Sequence, residues 1–343
     1  MMERGKHTVS VAMCTYNGEK YIYQQLESII CQTHPVDEIV ICDDGSSDKT
    51  LEIAAELLNK HNVPYSIVCN EVGLGVTKNF EKAISLCSHD VIFTCDQDDL
   101  WHKNKVETML QYFDKEDVVM VFSDGLVIDE NNQVTCSSLH ARVNFMQAGS
   151  GEKQLQDAII RLHYTVHGCL MAFRKDFAAR ITPFPDSMLY HDAWIMYCAS
   201  LIGKICYCKQ PLISYRMHNQ SITQGEAGQD KWRSVVQSGS KYSQYFSLNL
   251  FRTQRCMLIR KACKMDGICH NEYWNSYQRM LKYYDRMTVG EKKTAFIRIA
   301  LILLSVLDGA YCYRFSDRYV DYDFIKKAKV LVSDIIFITK VDD

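Results

Sequence analysis

The stretch Val91-Ile92-Phe93-Thr94-Cys95-Asp96-Gln97-Asp98-Asp99 passes within nine residues from an apolar run to three carboxylates. Branched and aromatic side chains without polar alternation read as a strand buried on both faces, predicted here at 90–95. The acids that follow repel one another, and something must offset that repulsion. A hard divalent cation seated among them would do so. So would the N-terminus of a helix predicted over 103–113, with aspartates near its cap. The residues alone leave both explanations open.

Upstream the same pattern repeats. Val/Ile-rich runs predict strands at 8–14, 38–42 and 65–69, and helical spacing of apolar residues predicts helices at 21–31, 49–60 and 76–86. Strands that alternate with helices build βαβ units and a parallel sheet. Ligands of such sheets bind beyond the carboxyl ends of the strands. The residues there are polar: Thr15-Tyr16-Asn17, Asp43-Asp44-Gly45-Ser46, Asn70-Glu71-Val72-Gly73 and Asp96-Gln97-Asp98-Asp99. Gly45 permits a tight turn, Ser46 or Ser47 can cap the next helix, and Asp44 can accept hydrogen bonds from a base imide or a ribose. Capping accounts for Ser47 and Asp48, but less well for two aspartates in a row. Downstream the alternation loosens. A strand is predicted at 118–123, a hairpin turning at 130–132, a polar loop at 148–151, a helix at 153–163, a Gly/Gln-rich linker at 224–229, and helices from there to the end.

At 343 residues the chain can bury a sizeable core, and its length suits one large domain with an appendage. With 47% apolar and 23% charged residues it is too apolar for disorder, and 5 Pro and 16 Gly exclude collagen-like and Pro-rich classes. A net charge of −2 gives no whole-molecule attraction to nucleic acid. The 15 cysteines, an odd number without a C-x-x-C pair, encode neither a zinc finger nor a disulfide framework and read as reduced thiols of a cytoplasmic protein. No apolar stretch precedes Val9, so no secretory signal is expected. The most apolar later run, 299–307, is far shorter than the roughly 20 residues that cross a bilayer.

Four motifs in order carry a resemblance to a known family: Val9-Ser10-Val11-Ala12-Met13-Cys14-Thr15-Tyr16-Asn17-Gly18, Gln32-Thr33, Ile41-Cys42-Asp43-Asp44-Gly45-Ser46-Ser47-Asp48-Lys49-Thr50 and Asp96-Gln97-Asp98-Asp99-Leu100-Trp101. Together they resemble the family 2 glycosyltransferases of GT-A fold. The resemblance extends through Gly168-Cys169-Leu170-Met171-Ala172-Phe173, His191-Asp192-Ala193-Trp194 and Tyr215-Arg216-Met217-His218-Asn219-Gln220-Ser221, and the tail beyond Gln224 lies outside it. It implies an α/β fold with a Rossmann-like, mostly parallel central sheet flanked by helices. The transferase domain would be 1–224, with a nucleotide-sugar half at 1–100 and an acceptor half at 101–224, followed by a helical extension at 225–343.

The resemblance also implies roles. Thr15, Tyr16 and Asn17 would line the nucleoside pocket, with Asp44 accepting from a pyrimidine imide. Asp96 and Gln97 would face the ribose or donor sugar. Asp98 and His218 would ligate Mg²⁺ or Mn²⁺ between the two phosphates, with Asp99 nearby. Asn70-x-x-Gly73-x-Gly75 with Lys78 and Asn79 is similar to the family's diphosphate-side loop. Gly168, Cys169, His191 and Trp194 would stand on the acceptor side, and Asp192 would be the catalytic base. The chemistry suits these residue types: a cation offsets charge building on a leaving diphosphate, and a carboxylate on the opposite face takes the acceptor proton. One direct displacement inverts the anomeric centre without an enzyme nucleophile.

Each position also has an ordinary reading. His218 could be a surface histidine after a strand at 212–215, Asp192 could cap a helix at 193–201, and Trp101 and Trp194 could be core aromatics. The glycines of the 70–75 loop could simply make a turn. Cys206-x-Cys208 and Cys263 with Cys269-His270 show no zinc spacing and read as ordinary thiols. One departure is notable: the family has a proline near position 103, where this chain has Lys103-Asn104-Lys105, which unsettles the start of the following helix.

Between Asp230 and Arg298 lie 14 Lys and Arg against 5 Asp and Glu, so the remainder of the chain is strongly acidic. Basic helices rich in aromatic rings, Trp232 and Trp274 among them, can lie on an anionic inner leaflet, where a lipid-linked acceptor would present its sugar. They can equally form a solvated helical cap. His-Asp-x-Trp and Tyr-Arg-x-His-x-x-Ser look most like bacterial rhamnosyltransferases of surface polysaccharides, implying a dTDP- or UDP-linked donor, with dTDP-rhamnose the first choice, and a saccharide or lipid-linked acceptor. Two competing readings are a sugar-1-phosphate nucleotidyltransferase and a saccharide-binding protein on a decayed transferase fold. Cys14-Thr15-Tyr16-Asn17-Gly18 lacks the basic Gly-rich loop the first needs, and the retained acids oppose the second.

Overall fold

Apolar periodicity decides the first half of the chain, and the elements fall within a residue of their predicted bounds. In a computed structural model describing residues 7–142, 166–185 and 191–218, they are β1 (Val9–Thr15), α1 (Ile22–Ile30), β2 (Glu38–Asp43), α2 (Thr50–His61), β3 (Tyr65–Cys69), α3 (Val76–Leu86) and β4 (Val91–Asp96). Helix α1 buries Ile22, Gln25, Leu26 and Ile29, one stripe of a 3.6-residue period. Helix α2 stops where Asn62 turns left-handed at φ 52°, a conformation asparagine tolerates. In β1, Val9, Val11, Ala12 and Met13 are fully buried, as expected of a strand covered on both faces.

The described residues then continue through β5 (Leu100–Trp101), α4 (Lys105–Leu110), a 3-10 turn (Gln111–Asp114), β6 (Val118–Ile128), β7 (Val134–Cys136), α5 (Leu139–Arg142), β8 (Met171–Arg174), α6 (Lys175–Ile181), α7 (His191–Ile202) and β9 (Lys204–Arg216). One sheet runs β3-β2-β1-β4-β8-β6-β9-β5, with β7 paired to β6. The α/β expectation holds, and the pairing is more mixed than a mostly parallel sheet. Strands β3, β2, β1 and β4 are parallel, as are β6 and β9, whereas β8 runs antiparallel between β4 and β6 and β5 antiparallel to β9. Local periodicity carries no information on the direction of a strand inserted from far along the chain, which is why β8 was not foreseen.

Several bounds moved. The strand expected at 118–123 extends to Ile128, and the one at 212–215 begins at Lys204, because each lies along the other for its whole length. The hairpin turns as predicted: the Asp129 carboxylate accepts from the Asn131 and Gln133 amides at 2.9 Å, and Asn132 is left-handed at φ 64°. The helix expected at 103–113 begins at Lys105 and passes into the 3-10 turn at Gln111. The Asn104 side chain does not cap it; the Gln32 amide oxygen accepts from the Val106 amide at 3.0 Å instead. The Asp96–Asp99 acids lead into β5, and capping of that helix no longer explains them.

All described residues fall in one compact unit, Met1–Met146 with Thr165–Ser238. The predicted loop 148–151, helix 153–163, linker 224–229 and extension 225–343, with Cys263, Cys269 and His270, lie outside the described residues. Among the described residues no helix is long and apolar enough to cross a membrane.

Candidate active site

Register places the first half of the site. Thr15 pairs with Asp43 across β1 and β2, and Cys14 pairs with Asp96 across β1 and β4, so three strands end in line. Beyond them opens a cleft of about 450 Å³ lined by Tyr16, Asp44, Gly45, Asn70, Glu71, Gly73 and Gly75. The adjacent aspartates do different work there. Asp43 is fully buried and accepts from the Thr15 hydroxyl at 2.7 Å, the Ser46 hydroxyl at 2.6 Å, and the Gly45 and Ser46 amides at 3.1 and 2.7 Å. It builds the turn, with Gly45 at φ 92°. Asp44 faces the cleft and accepts from Asn70 Nδ2 at 2.9 Å, the Leu74 amide at 2.6 Å and the Gly75 amide at 2.9 Å.

Around this cleft several predicted binders act as braces. Gln97 pairs both ends of its amide with the Tyr16 backbone at 2.9 Å, holding the half-exposed Tyr16 at the rim. Asn17 is left-handed and spends its side-chain oxygen on the Ser47 amide at 2.9 Å, tying the first loop to the second. Thr15 is likewise consumed by Asp43. Asn79, 2% exposed, accepts from Asn70 and donates to the Cys42 carbonyl at 2.8 Å, so it reaches the cleft only through Asn70. Lys78 binds Glu81 at 2.7 Å and the Phe184 carbonyl at 2.8 Å. Lys82, not foreseen, donates to Asn70 Oδ1 at 2.7 Å and fixes which way that amide points.

The second half of the site is acidic. Asp98 Oδ2 meets His218 Nε2 at 2.8 Å, joining a loop after β4 to the residue two past β9. Asp96 is pushed up to about 7, first by burial, then by the Asp98 and Asp192 charges. Asp192 sits in the first turn of α7, where it accepts from the Ala193 amide at 2.6 Å. Asp99 turns inward: 1% exposed, it accepts the Arg216 amide at 3.0 Å and lies against the Cys169 thiol. Burial raises the Asp99 carboxyl well above its usual range, and the Asp98 and Asp96 charges add to that. Lys105, fully buried against the Trp101 ring at 4.0 Å, donates to the Cys169 carbonyl at 2.8 Å, and burial pulls its ammonium down to about 8.

The acceptor-side residues separate. Gly168 and Cys169 are buried beside the acids, and the Gly168 carbonyl accepts from Thr94 at 2.6 Å. A Cβ on Gly168 would lie 2.3 Å from His191 Nε2, so only glycine leaves that imidazole its place. His191 stacks on Phe80 at 4.0 Å, and burial drives its ring down to about 3, neutral at any working pH. Trp194 is 3% exposed and donates to the Ile181 carbonyl at 2.9 Å, a core aromatic and no wall of the cleft.

This arrangement, a nucleoside-sized cleft and a carboxylate–imidazole pair at the ends of a GT-A sheet, agrees with comparison to known proteins. The Glycosyl transferase family 2 model matches residues 10–181. The chain belongs to glycosyl transferase family 2. The transferase is 40% identical over 223 residues to the dTDP-rhamnosyl transferase RfbG of Shigella flexneri, covering 61% of this chain and 72% of that one. It is 24% identical to the glycosyltransferase GlyG of Streptococcus pneumoniae over 303 residues, 85% of this chain and 95% of that one. Its fold matches S. aureus TarS 1–349 in complex with UDP at a TM-score of 0.52 and 16% identity, covering 92% and 94% of the two chains. The mannosyltransferase PcManGT of Pyrobaculum calidifontis, in complex with GDP-Man and Mn²⁺, also matches at 0.52 and 16%, over 96% and 88%. Membership makes the protein a glycosyltransferase with a nucleotide-sugar donor and removes the nucleotidyltransferase and non-catalytic readings.

Among the described residues, two groups of side chains could receive a divalent ion. Asp96, Asp99 and Cys169 bring one ligand atom each within 4.8 Å of one another. Burial and the adjacent acids hold the Cys169 thiol protonated, a soft neutral ligand ill suited to Mg²⁺ or Mn²⁺. Asp98 with His218 offers a carboxylate oxygen and an imidazole nitrogen side by side, a donor set that suits such an ion. Arg216, Lys105 and Lys82 were not singled out from the sequence. A charged residue inside an apolar strand end, as Arg216 is, was the available signal.

Proposed function

We propose that the transferase is an inverting, divalent-metal-dependent rhamnosyltransferase that moves rhamnose from a dTDP-linked donor to a hydroxyl of a saccharide or lipid-linked saccharide in bacterial surface-polysaccharide synthesis. The observation that carries the metal-dependent reading is the 2.8 Å approach of Asp98 and His218, 120 residues apart, at the end of the sheet that holds the nucleoside-sized cleft. The likeness to RfbG supports the rhamnosyl donor.

Asp44 keeps a free lone pair on Oδ2 for a base imide, and Asn70 with Lys82 holds that carboxylate in place. Tyr16, steadied by Gln97, forms the rim over the base. Asp98 and His218 would hold Mg²⁺ or Mn²⁺, which when bound supplies Lewis-acid stabilisation of a leaving diphosphate. Asp192 takes the acceptor proton as that oxygen bonds the anomeric carbon and the bond from that carbon to the diphosphate oxygen breaks. His191, held neutral, and Gly168 shape the surroundings of that base. The basic and aromatic content of 230–298 supports contact with the inner leaflet; sedimentation with anionic vesicles at physiological salt tests it, and a protein that stays in solution refutes it.

Thermal stabilisation by dTDP-rhamnose, UDP-glucose and GDP-mannose, with and without Mn²⁺, tests the donor and the metal together. The expected result is a shift with dTDP-rhamnose that grows with Mn²⁺, the growth vanishing in Asp98→Asn. A shift confined to another nucleotide sugar, or one indifferent to Mn²⁺ in the unaltered protein, overturns the corresponding part.

A further inference from the structure

Arg216 is the last residue of β9 and is 1% exposed, yet each nitrogen of its guanidinium finds a polar partner. Its amide donates to Asp99 Oδ1 at 3.0 Å and its Nε to the Asp98 carbonyl at 2.7 Å. Its Nη1 reaches Asn132 Oδ1 at 2.5 Å and the Asp129 carbonyl at 3.4 Å, and its Nη2 reaches Gln24 Oε1 at 3.1 Å. The guanidinium lies over the Tyr21 ring at 4.8 Å, and the same ring meets the His218 imidazole at 4.8 Å. Three segments remote in sequence converge on one side chain: the acidic loop, the tip of the β6–β7 hairpin, and the start of α1.

Burying a guanidinium costs several kcal/mol unless its donors are met and its charge is offset. Here Asp99, Asp98 and Asp129 supply the opposing charge. A fold that needed only a strand end at this point would be served by an apolar residue. The rigid planar fork does what neither an apolar residue nor lysine can, since it bonds a loop carbonyl through Nε while its two amino groups anchor elsewhere.

We propose that Arg216 is a positioning residue that sets the Asp98 carboxylate and the His218 imidazole to face one divalent cation, with the β6–β7 turn as its anchor. It grips Asp98 by the backbone and reaches His218 through Tyr21, so both ends of the 2.8 Å pair are referred to one rigid group. This inference rests on the reading of Asp98 and His218 as the metal-holding pair.

The test is calorimetric titration of the full chain with dTDP and with UDP, without metal and with saturating Mn²⁺, in the unaltered protein, Arg216→Lys and Asn132→Gly. Asn132 is exposed and left-handed, so glycine removes the anchor without straining the turn, and this variant keeps the test alive if Arg216→Lys does not fold. Removing residues that orient metal ligands weakens metal binding by about tenfold to a hundredfold. The expected result is a metal-free nucleotide affinity within about twofold of the unaltered protein, an Mn²⁺-dependent gain reduced at least about tenfold in Arg216→Lys, and an intermediate reduction in Asn132→Gly. A full Mn²⁺-dependent gain in the variants overturns the inference, and so does an equal loss with and without metal, which marks a merely structural role. If the unaltered protein shows no Mn²⁺-dependent gain, the metal reading itself fails and this inference falls with it.

Discussion

Replacing Asp43 by alanine removes a fully buried carboxylate that accepts from two hydroxyls and two backbone amides, Thr15, Gly45 and Ser46 supplying them. Bonds to a charged acceptor contribute about 1.5–3 kcal/mol each, and the orphaned donors regain water only in part because the turn is partly buried. Discounting for that recovery leaves a loss of about 3–5 kcal/mol, comparable to breaking a buried ionic contact. For a folded unit of this size that lowers Tm by about 6–20 °C. The neighbouring Asp44→Ala variant loses three acceptor contacts to a loop at the open face, whose donors can turn to water, and should cost no more than about 1 kcal/mol. Differential scanning fluorimetry of both variants, with and without dTDP, separates them: Asp43→Ala falls steeply, while Asp44→Ala melts near the unaltered protein and loses the nucleotide-dependent shift. Equal destabilisation of the two, or an Asp43→Ala variant within about 2 °C of the unaltered protein, refutes the division of labour.

Three further outcomes follow from the same geometry. Asp192→Asn should leave donor binding nearly unchanged and lower transfer by about 10²–10⁴-fold, as removal of a general base does; parallel loss of both, measured by calorimetry and product formation, rules out that role. A Cβ on Gly18 would lie 2.2 Å from Gln97 Oε1, so Gly18→Ala should dislodge the brace on Tyr16 and lower kcat/KM by about tenfold or more, read from initial rates; unchanged kinetics would show that Gln97 moves aside freely. His191 titrates at about 3 in the folded chain against about 6.5 unfolded, so the unfolded state binds the extra proton between those values and stability is lost as pH falls from 6.5 toward 3. His191→Met should flatten the acid side of the Tm–pH profile, and an unaltered slope would refute this account.

Much of the donor half was legible because its signals are local. Alternating apolar runs set β1 through β4 and α1 through α3 to within a residue, and polar residues at strand ends marked the cleft. Individual roles were less legible. Asn17, Gln97 and Asn79 were read as touching the donor, and their side chains are spent on neighbouring loops and strand ends. Trp194 was read on the acceptor side and packs in the core. An amide that binds a ligand and one that binds a backbone look alike in a sequence, since each offers the same donor and acceptor.

What the sequence by itself determined was the kind of chemistry: acids at the ends of buried strands, a histidine shortly after another strand, and the motifs of a glycosyltransferase. Only tertiary structure decided which acids meet. Asp98 and His218 are 120 residues apart, and their approach depends on β9 pairing with β6 and β5. That pairing also buries Arg216 beside them, while the pairing of β2 with β1 brings the Thr15 hydroxyl to Asp43 and leaves Asp44 facing the cleft. The physical reason is that burial and hydrogen-bond partners, which assign a carboxylate its role, come from segments brought together only when the sheet closes.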